Sequence, residues 1–171
     1  MVDLESVLTE TKSLDTAPSW FVSADDTANF NLERMPLSIN GITVPGIYLT
    51  GHCRRYEPDL DVFFTIICNI PKLYKGPLIR YEWNPKQSHS NKGRGKSAFK
   101  FMVFTETHIH PFDENFALGY KIMREENLPI AYPVSNNPQN FREMLAEVGK
   151  LFDVDNIQTI QEPQFDPGLL I

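Results

Sequence analysis

The hydrophobic positions of this chain change their period along its length, and each change predicts an element. Leu4, Val7, Leu8 and Thr11 recur at helical spacing behind Asp3, a residue type that caps helix starts. A short first helix is expected there, with Pro18 as its far limit. Residues 23–35, "SADDTANFNLERM", show no clean period and read as irregular. "LSINGITV" follows, two short apolar runs around Asn40-Gly41, the pair that best accepts the positive φ angles of a two-residue hairpin turn. "GIYLTGHCRRY", "DVFFTIICNI" and "PLIRYEW" are rich in β-branched and aromatic residues and are joined by short breaks, Glu57-Pro58-Asp59 and 71–77, which favours antiparallel neighbours. Val62 to Cys68 is apolar on both faces, the pattern of a central strand covered on both sides. "FKFMVFTE", residues 99–106, reads as a further strand.

The period then returns to that of a helix. Phe141, Met144, Leu145, Val148, Leu151 and Phe152 form one apolar stripe, with Asn137 placed as its cap and Pro138 at its first position. The resulting expectation is an α+β fold, an antiparallel β-meander of about five to six strands covered by a C-terminal amphipathic helix, with a short N-terminal helix. Residues 1–156 would make one domain and residues 157–171, with Pro163, Pro167 and Gly168, a loosely attached tail in which "GLLI" tucks into a groove.

Composition fits a folded protein: 171 residues, 42% of them hydrophobic, are enough for a single core. The start "MVDLESVLTETKSL" holds no apolar run long enough for a signal peptide or a membrane span, so a cytoplasmic protein without a membrane partner is expected. Two cysteines, Cys53 and Cys68, are too few for a secreted disulfide framework and lack Cys-x-x-Cys spacing for zinc. Buried free thiols are the expectation.

Charge changes the picture more. The net charge is −6, but residues 72–100 alone carry +7, leaving −13 on the remainder. Arg80, Lys86, Lys92, Arg94, Lys96 and Lys100 are therefore candidate contacts to a phosphate backbone, and the acidic body a candidate surface for a protein partner. The same stretch ends in Gly95-Lys96-Ser97, the closing letters of a phosphate-binding loop. Ser90 stands where that loop needs its first glycine, and the β-like sequence that follows is not a helix, so the nucleotide reading fails.

The histidines carry the candidate chemistry. "THIHP" puts His108 and His110 two residues apart, so an extended backbone presents both imidazoles on one face. His89 would supply a third nitrogen, and Glu82 or Asp113 a carboxylate. That set suits either a divalent metal with water or proton transfer by imidazole. His89, His108, His110 and Glu82 are the candidate catalytic residues, and the three histidines the candidate metal ligands. His52, beside Cys53, Arg54 and Arg55, reads as strand decoration. No Gly-x-Ser-x-Gly elbow or dinucleotide fingerprint is present.

The order "LIRYEW", "HSNKG", "THIHP", "LPIAYPVS" and a closing helix resembles a family of small, uncharacterised bacterial and mobile-element proteins. Their pattern runs through an Arg-x-acid strand, a His-x-Asn turn, a His-x-His strand and an Ala-Tyr-Pro segment. The resemblance covers residues ~78 to 156 and places Arg80, Glu82, His89, Asn91, His108, His110, Tyr132 and Pro133 on that pattern. The longer basic stretch before Phe99, and Pro111 where the family strand continues, depart from it. It implies grouping and context, with no activity attached. Two functions are expected from the residues: a non-enzymatic binding or regulatory protein engaging nucleic acid or a protein partner, or a histidine- or metal-dependent phosphodiesterase.

Overall fold

The computed structural model describes residues 4–57 and 59–165. After helix α1 (Leu4–Thr9) come strands β1 (Lys12–Leu14), β2 (Trp20–Ser23), β3 (Asp26–Leu32), β4 (Met35–Ile39), β5 (Ile42–Arg54), β6 (Val62–Ile70) and β7 (Tyr74–Trp83). Then follow β8 (His89–Ser90), β9 (Val103–Phe104), β10 (His108–His110), helices α2 (Phe112–Phe116) and α3 (Tyr120–Glu125), β11 (Tyr132–Pro133) and α4 (Phe141–Phe152). Nine strands build one antiparallel sheet in the order β1-β4-β5-β6-β7-β10-β11, with the β2–β3 hairpin joined through β3 to the far half of β5. A separate ribbon pairs β8 with β9.

The expected α+β meander of five to six strands under a C-terminal helix is therefore corrected, among the described residues, to a nine-stranded antiparallel sheet with four short helices. The difference arises at both ends of the meander. Residues 23–35 lack a clean period over their full length, yet β3 is a strand, because Phe30 and Leu32 alternate with Asn29 and Asn31 and because β5, 13 residues long, offers a free ladder beyond its pairing with β4. Asn29, Phe30 and Asn31 of β3 take up that ladder opposite Arg54, Cys53 and His52. Backbone pairing, together with Leu32 in the core and Phe30 packed against it, makes this segment extended. Conversely, residues 97–101 turn, and only Val103 and Phe104 of "FKFMVFTE" form a strand. The stripe of α1 stops at Thr9; Asp3 lies outside the described residues.

The Asn40-Gly41 turn is a two-residue hairpin with φ angles of 52° and 74° and Ile39 opposite Ile42. In β6, Val62, Phe64, Ile66 and Cys68 face a closed core, while Phe63 and Ile67 on the opposite face are half-buried. Helix α4 lies on the closed face: Trp20 meets both Phe64 and Phe141 edge-on, and Tyr81 donates to Glu147 at 2.6 Å. Its cap is Asn140, not Asn137, whose side chain accepts from Glu143 N–H. Pro138 precedes the helix and its carbonyl accepts from Trp83 Nε1 at 3.1 Å. Leu151, expected inward, is 36% exposed, and Gly149 takes the inward place because a Cβ there would lie 2.6 Å from Ile157. Ile157 and Ile160, beyond residue 156, are fully buried, and Asn156 holds both backbone groups of Leu14.

Cys53 and Cys68 are buried free thiols on neighbouring strands. Cys68 stands opposite Ile47, so six residues of β5, roughly 20 Å, separate it from the level of Cys53. No helix among the described residues is long and apolar enough to cross a membrane.

Candidate functional site

Register builds the site. Glu82 of β7 stands opposite Phe63 of β6 on one side and His108 of β10 on the other; Arg80 stands between Thr65 and His110. Residues directly opposite in an antiparallel ladder share a face. Arg80, Glu82, His108 and His110 therefore lie together, on the face turned away from α4. The odd residues of β7, Tyr81 and Trp83, enter the closed core. Two successive steps of an Arg-x-Glu strand thus meet two successive steps of a His-x-His strand.

This face is roofed by the long β7–β10 connection and by the stretch running through α2 and α3 to β11. Two buried asparagines fasten the roof. Asn91 accepts from Ala131 N–H at 2.8 Å and donates to the Ala131 carbonyl at 2.9 Å. Asn115 does the same for Ile130, at 2.9 Å each way, and also donates to the Pro111 carbonyl at 2.7 Å. Each side-chain amide acts as a short piece of β-ladder. Pro111 ends β10 and lets Phe112 begin α2, so the same proline that limits the strand turns the chain into the roof.

The roof reaches the histidines through its carbonyls. Leu128 adopts φ 60°, a conformation uncommon for a bulky residue, at the end of α3, where its N–H bonds to the Met123 carbonyl. Its own carbonyl lies 2.7 Å from His110 Nδ1, and the next, that of Pro129, lies 3.0 Å from His89 Nε2. His108 Nδ1 is 2.7 Å from the Glu106 carbonyl. A carbonyl accepts only, so each of these nitrogens carries the proton. In the neutral rings the remaining lone pairs are on Nε2 of His108 and of His110 and on Nδ1 of His89.

Both Nε2 lone pairs face Glu82. His110 Nε2 is 3.2 Å from Oε1 and His108 Nε2 is 3.6 Å from Oε2. Arg80 borders the group: its Nε lies 2.7 Å from Glu82 Oε1, and its terminal nitrogen donates to His110 Nε2 at 3.2 Å. His89 packs edge-on against His110 with ring centres 4.6 Å apart, and the rings of His108 and His110 are 5.0 Å apart. His108 and His110 are fully buried. Burial pushes the pKa of all three histidines down, that of His110 to about 3, and keeps the rings neutral. Burial also works to raise Glu82, but the Arg80 charge beside it outweighs that and holds the carboxyl at about 2.

A cleft of about 390 Å³, lined by Asp61, Phe63, Arg80, Glu82, Gln87, Ser88, His89 and Asn127, opens onto this cluster. A second of about 320 Å³ shares Ser88 and His89 with it and carries Lys92 on its wall. Glu82, His108 and His110 form the tight ligand-like group; His89 stands beside it and faces the clefts; Asp113, the alternative carboxylate, is on α2 outside the group.

The basic stretch is distributed differently. Lys86 pairs with Glu57 at 3.4 Å, Arg94 with Glu126, and Lys96 with Glu114 at 3.5 Å, while Lys96 and Lys100 also lie over the rings of Tyr132 and Phe101. Gly95-Lys96-Ser97 serves packing: Lys96 N–H donates to Tyr132 Oη, and a Cβ on Gly95, at φ 80°, would lie 2.8 Å from that oxygen.

Sequence reasoning missed Asn115 and the Leu128 and Pro129 carbonyls. An asparagine three residues after a helix-starting Phe reads as an ordinary surface residue; only its complete burial reveals its role. Asn115→Ala is expected to lower the unfolding free energy by about 2–5 kcal/mol, because two buried backbone groups of Ile130 lose their partners. Urea denaturation measures it, and a loss under about 1 kcal/mol would show that those groups find other partners. No protein-family model, curated protein or solved structure matches the chain.

Proposed function

We propose that this protein cleaves phosphodiester bonds in a nucleic acid, using the cleft above Arg80, Glu82 and His89. The observation that carries this reading is the meeting of Arg80, Glu82, His108 and His110 on one sheet face, with His89 of the β8–β9 ribbon packed against His110, beneath a cleft that Arg80, Glu82 and His89 line. Water or a sugar hydroxyl attacks phosphorus and gives its proton to His89 Nδ1, the lone pair left by the bond from Nε2 to the Pro129 carbonyl. The Arg80 guanidinium stabilises the charge that builds on the phosphoryl oxygens, and the bond to the leaving oxygen breaks as that oxygen takes a proton from solvent in the open cleft, the proton on His89 returning to solvent after turnover. Lys92, on the wall of the adjoining cleft, provides a contact for the flanking phosphate.

Cleavage is favoured over binding through the basic loop because Lys86, Arg94 and Lys96 already face acids of the body. The test is incubation of the purified chain with end-labelled single-stranded RNA and duplex DNA, with Mn²⁺ or with chelator, followed by fragment analysis. Fragments are expected with the wild type, at a rate reduced about 10²- to 10⁴-fold by His89→Ala. Nucleic acid that stays intact but is retained, with a steep salt dependence, would replace cleavage by binding. No fragments and no retention would overturn both.

A further inference from the structure

We infer that Glu82, His108 and His110 form a binding site for one divalent first-row transition-metal ion. The inference concerns the cluster itself and stands whether or not the substrate is a phosphodiester.

Three features of geometry carry it. The ligand atoms of the three side chains lie within 4.8 Å of one another. Donors each about 2.1 Å from a tetrahedral ion are about 3.4 Å apart, and each imidazole stands near that spacing from its own carboxylate oxygen, His110 Nε2 at 3.2 Å from Oε1 and His108 Nε2 at 3.6 Å from Oε2. The Nδ1 protons of both histidines are held by the Glu106 and Leu128 carbonyls, the outer-shell arrangement that fixes a metal-binding imidazole with Nε2 free. Finally, His108 Nε2 is fully buried, aimed at Glu82 Oε2, and has no hydrogen-bond partner among the described residues. Two imidazole lone pairs against a carboxylate repel one another, and a cation between them turns that repulsion into coordination. Two imidazole nitrogens and one carboxylate suit zinc, iron(II), manganese or cobalt better than calcium or magnesium, which take oxygen donors.

Arg80 supplies a competing positive charge. It covers Oε1 and the His110 nitrogen but leaves the Oε2–His108 side without a donor. Entry of the ion requires its terminal nitrogen to leave His110. Arg80→Met should therefore tighten metal binding, whereas a variant lacking a ligand should weaken it. His89 is outside the ligand group, so His89→Ala should bind metal as the wild type does even where it abolishes turnover. That contrast separates failure of the metal site from failure of the proposed activity.

The experiment is titration of the metal-free, full-length chain with Zn²⁺ against a chromophoric competitor chelator, with circular dichroism on every variant to establish folding. One equivalent is expected to bind the wild type, with affinity lowered about 100-fold or more in Glu82→Gln and in His108→Ala. If His108→Ala does not fold, Glu82→Gln, a change of one atom at a partly exposed side chain, decides alone. A wild type that takes up no Zn²⁺, or ligand variants that retain wild-type affinity, would overturn the site and leave Arg80 as its resident cation.

Discussion

Leu145→Asp is expected to leave the protein unfolded at room temperature. Leu145 is fully buried in the middle of the inward stripe of α4, between Phe141 and Val148, on the closed face of the sheet. Removing its apolar side chain alone costs about 2–5 kcal/mol as a cavity, and an unpaired carboxylate in the same place costs several more. The sum reaches the whole stability of a typical domain, about 5–15 kcal/mol. Leu151→Asp is the internal comparison, on the same helix but 36% exposed, and should fold normally. Circular dichroism and urea titration read both. A cooperative Leu145→Asp transition within about 1 kcal/mol of wild type would mean that α4 is not part of the cooperative core.

The contrast between those two leucines marks how far sequence periodicity reaches. The stripe Phe141, Met144, Leu145, Val148 and Phe152 was legible because helical spacing and burial coincide there. Leu151 sits one position off the centre of that arc, and Gly149 is inward for a reason no hydropathy pattern contains: Ile157 packs against its missing side chain. In the sheet, the Asn40-Gly41 hairpin was legible because its chemistry is local. The ladder that draws β3 onto β5 was not, since it depends on a partner strand more than 20 residues away, and the alternation of Phe30 and Leu32 with Asn29 and Asn31 is too short to stand out in a polar stretch. The site divides in the same way. Arg-x-Glu and His-x-His each announce a shared face, but bringing His108 opposite Glu82 takes the long connection between β7 and β10, whose course follows from Asn91 and its grip on Ala131. The backbone carbonyls that set the imidazole tautomers carry no sequence signature at all. The basic segment was legible as charge and misleading as surface, because its acidic partners, Glu57, Glu114 and Glu126, come from elsewhere in the chain.

The buried imidazoles also dictate how the fold responds to acid. In chelator-treated protein, stability should be flat above about pH 7 and fall steadily below pH 6.5. His110 is held neutral down to about pH 3 in the fold, while in the unfolded chain it takes a proton near its ordinary 6.5. Between those limits the unfolded state binds the extra proton, so stability rises with pH and is lost as pH falls, at about 1.4 kcal/mol per pH unit for one such group. His110 alone thus removes about 2 kcal/mol by pH 5. His108 and His89, also lowered by burial, act in the same direction. Glu82 adds a second, lower window: its carboxyl is held at about 2 against an ordinary 4.5, so the stability it contributes is present above 4.5 and lost between 4.5 and 2. Urea titrations at pH 7.5, 6.0 and 5.0 test the upper window, and His110→Gln, neutral at every pH, should show a smaller slope there by one proton. Equal stability at pH 7.5 and 5.0 would mean that the imidazoles take up protons within the fold. The carbonyls of Glu106 and Leu128 would then face fully protonated rings, and the lone pairs directed at Glu82 would be filled by hydrogen instead of being open to a metal.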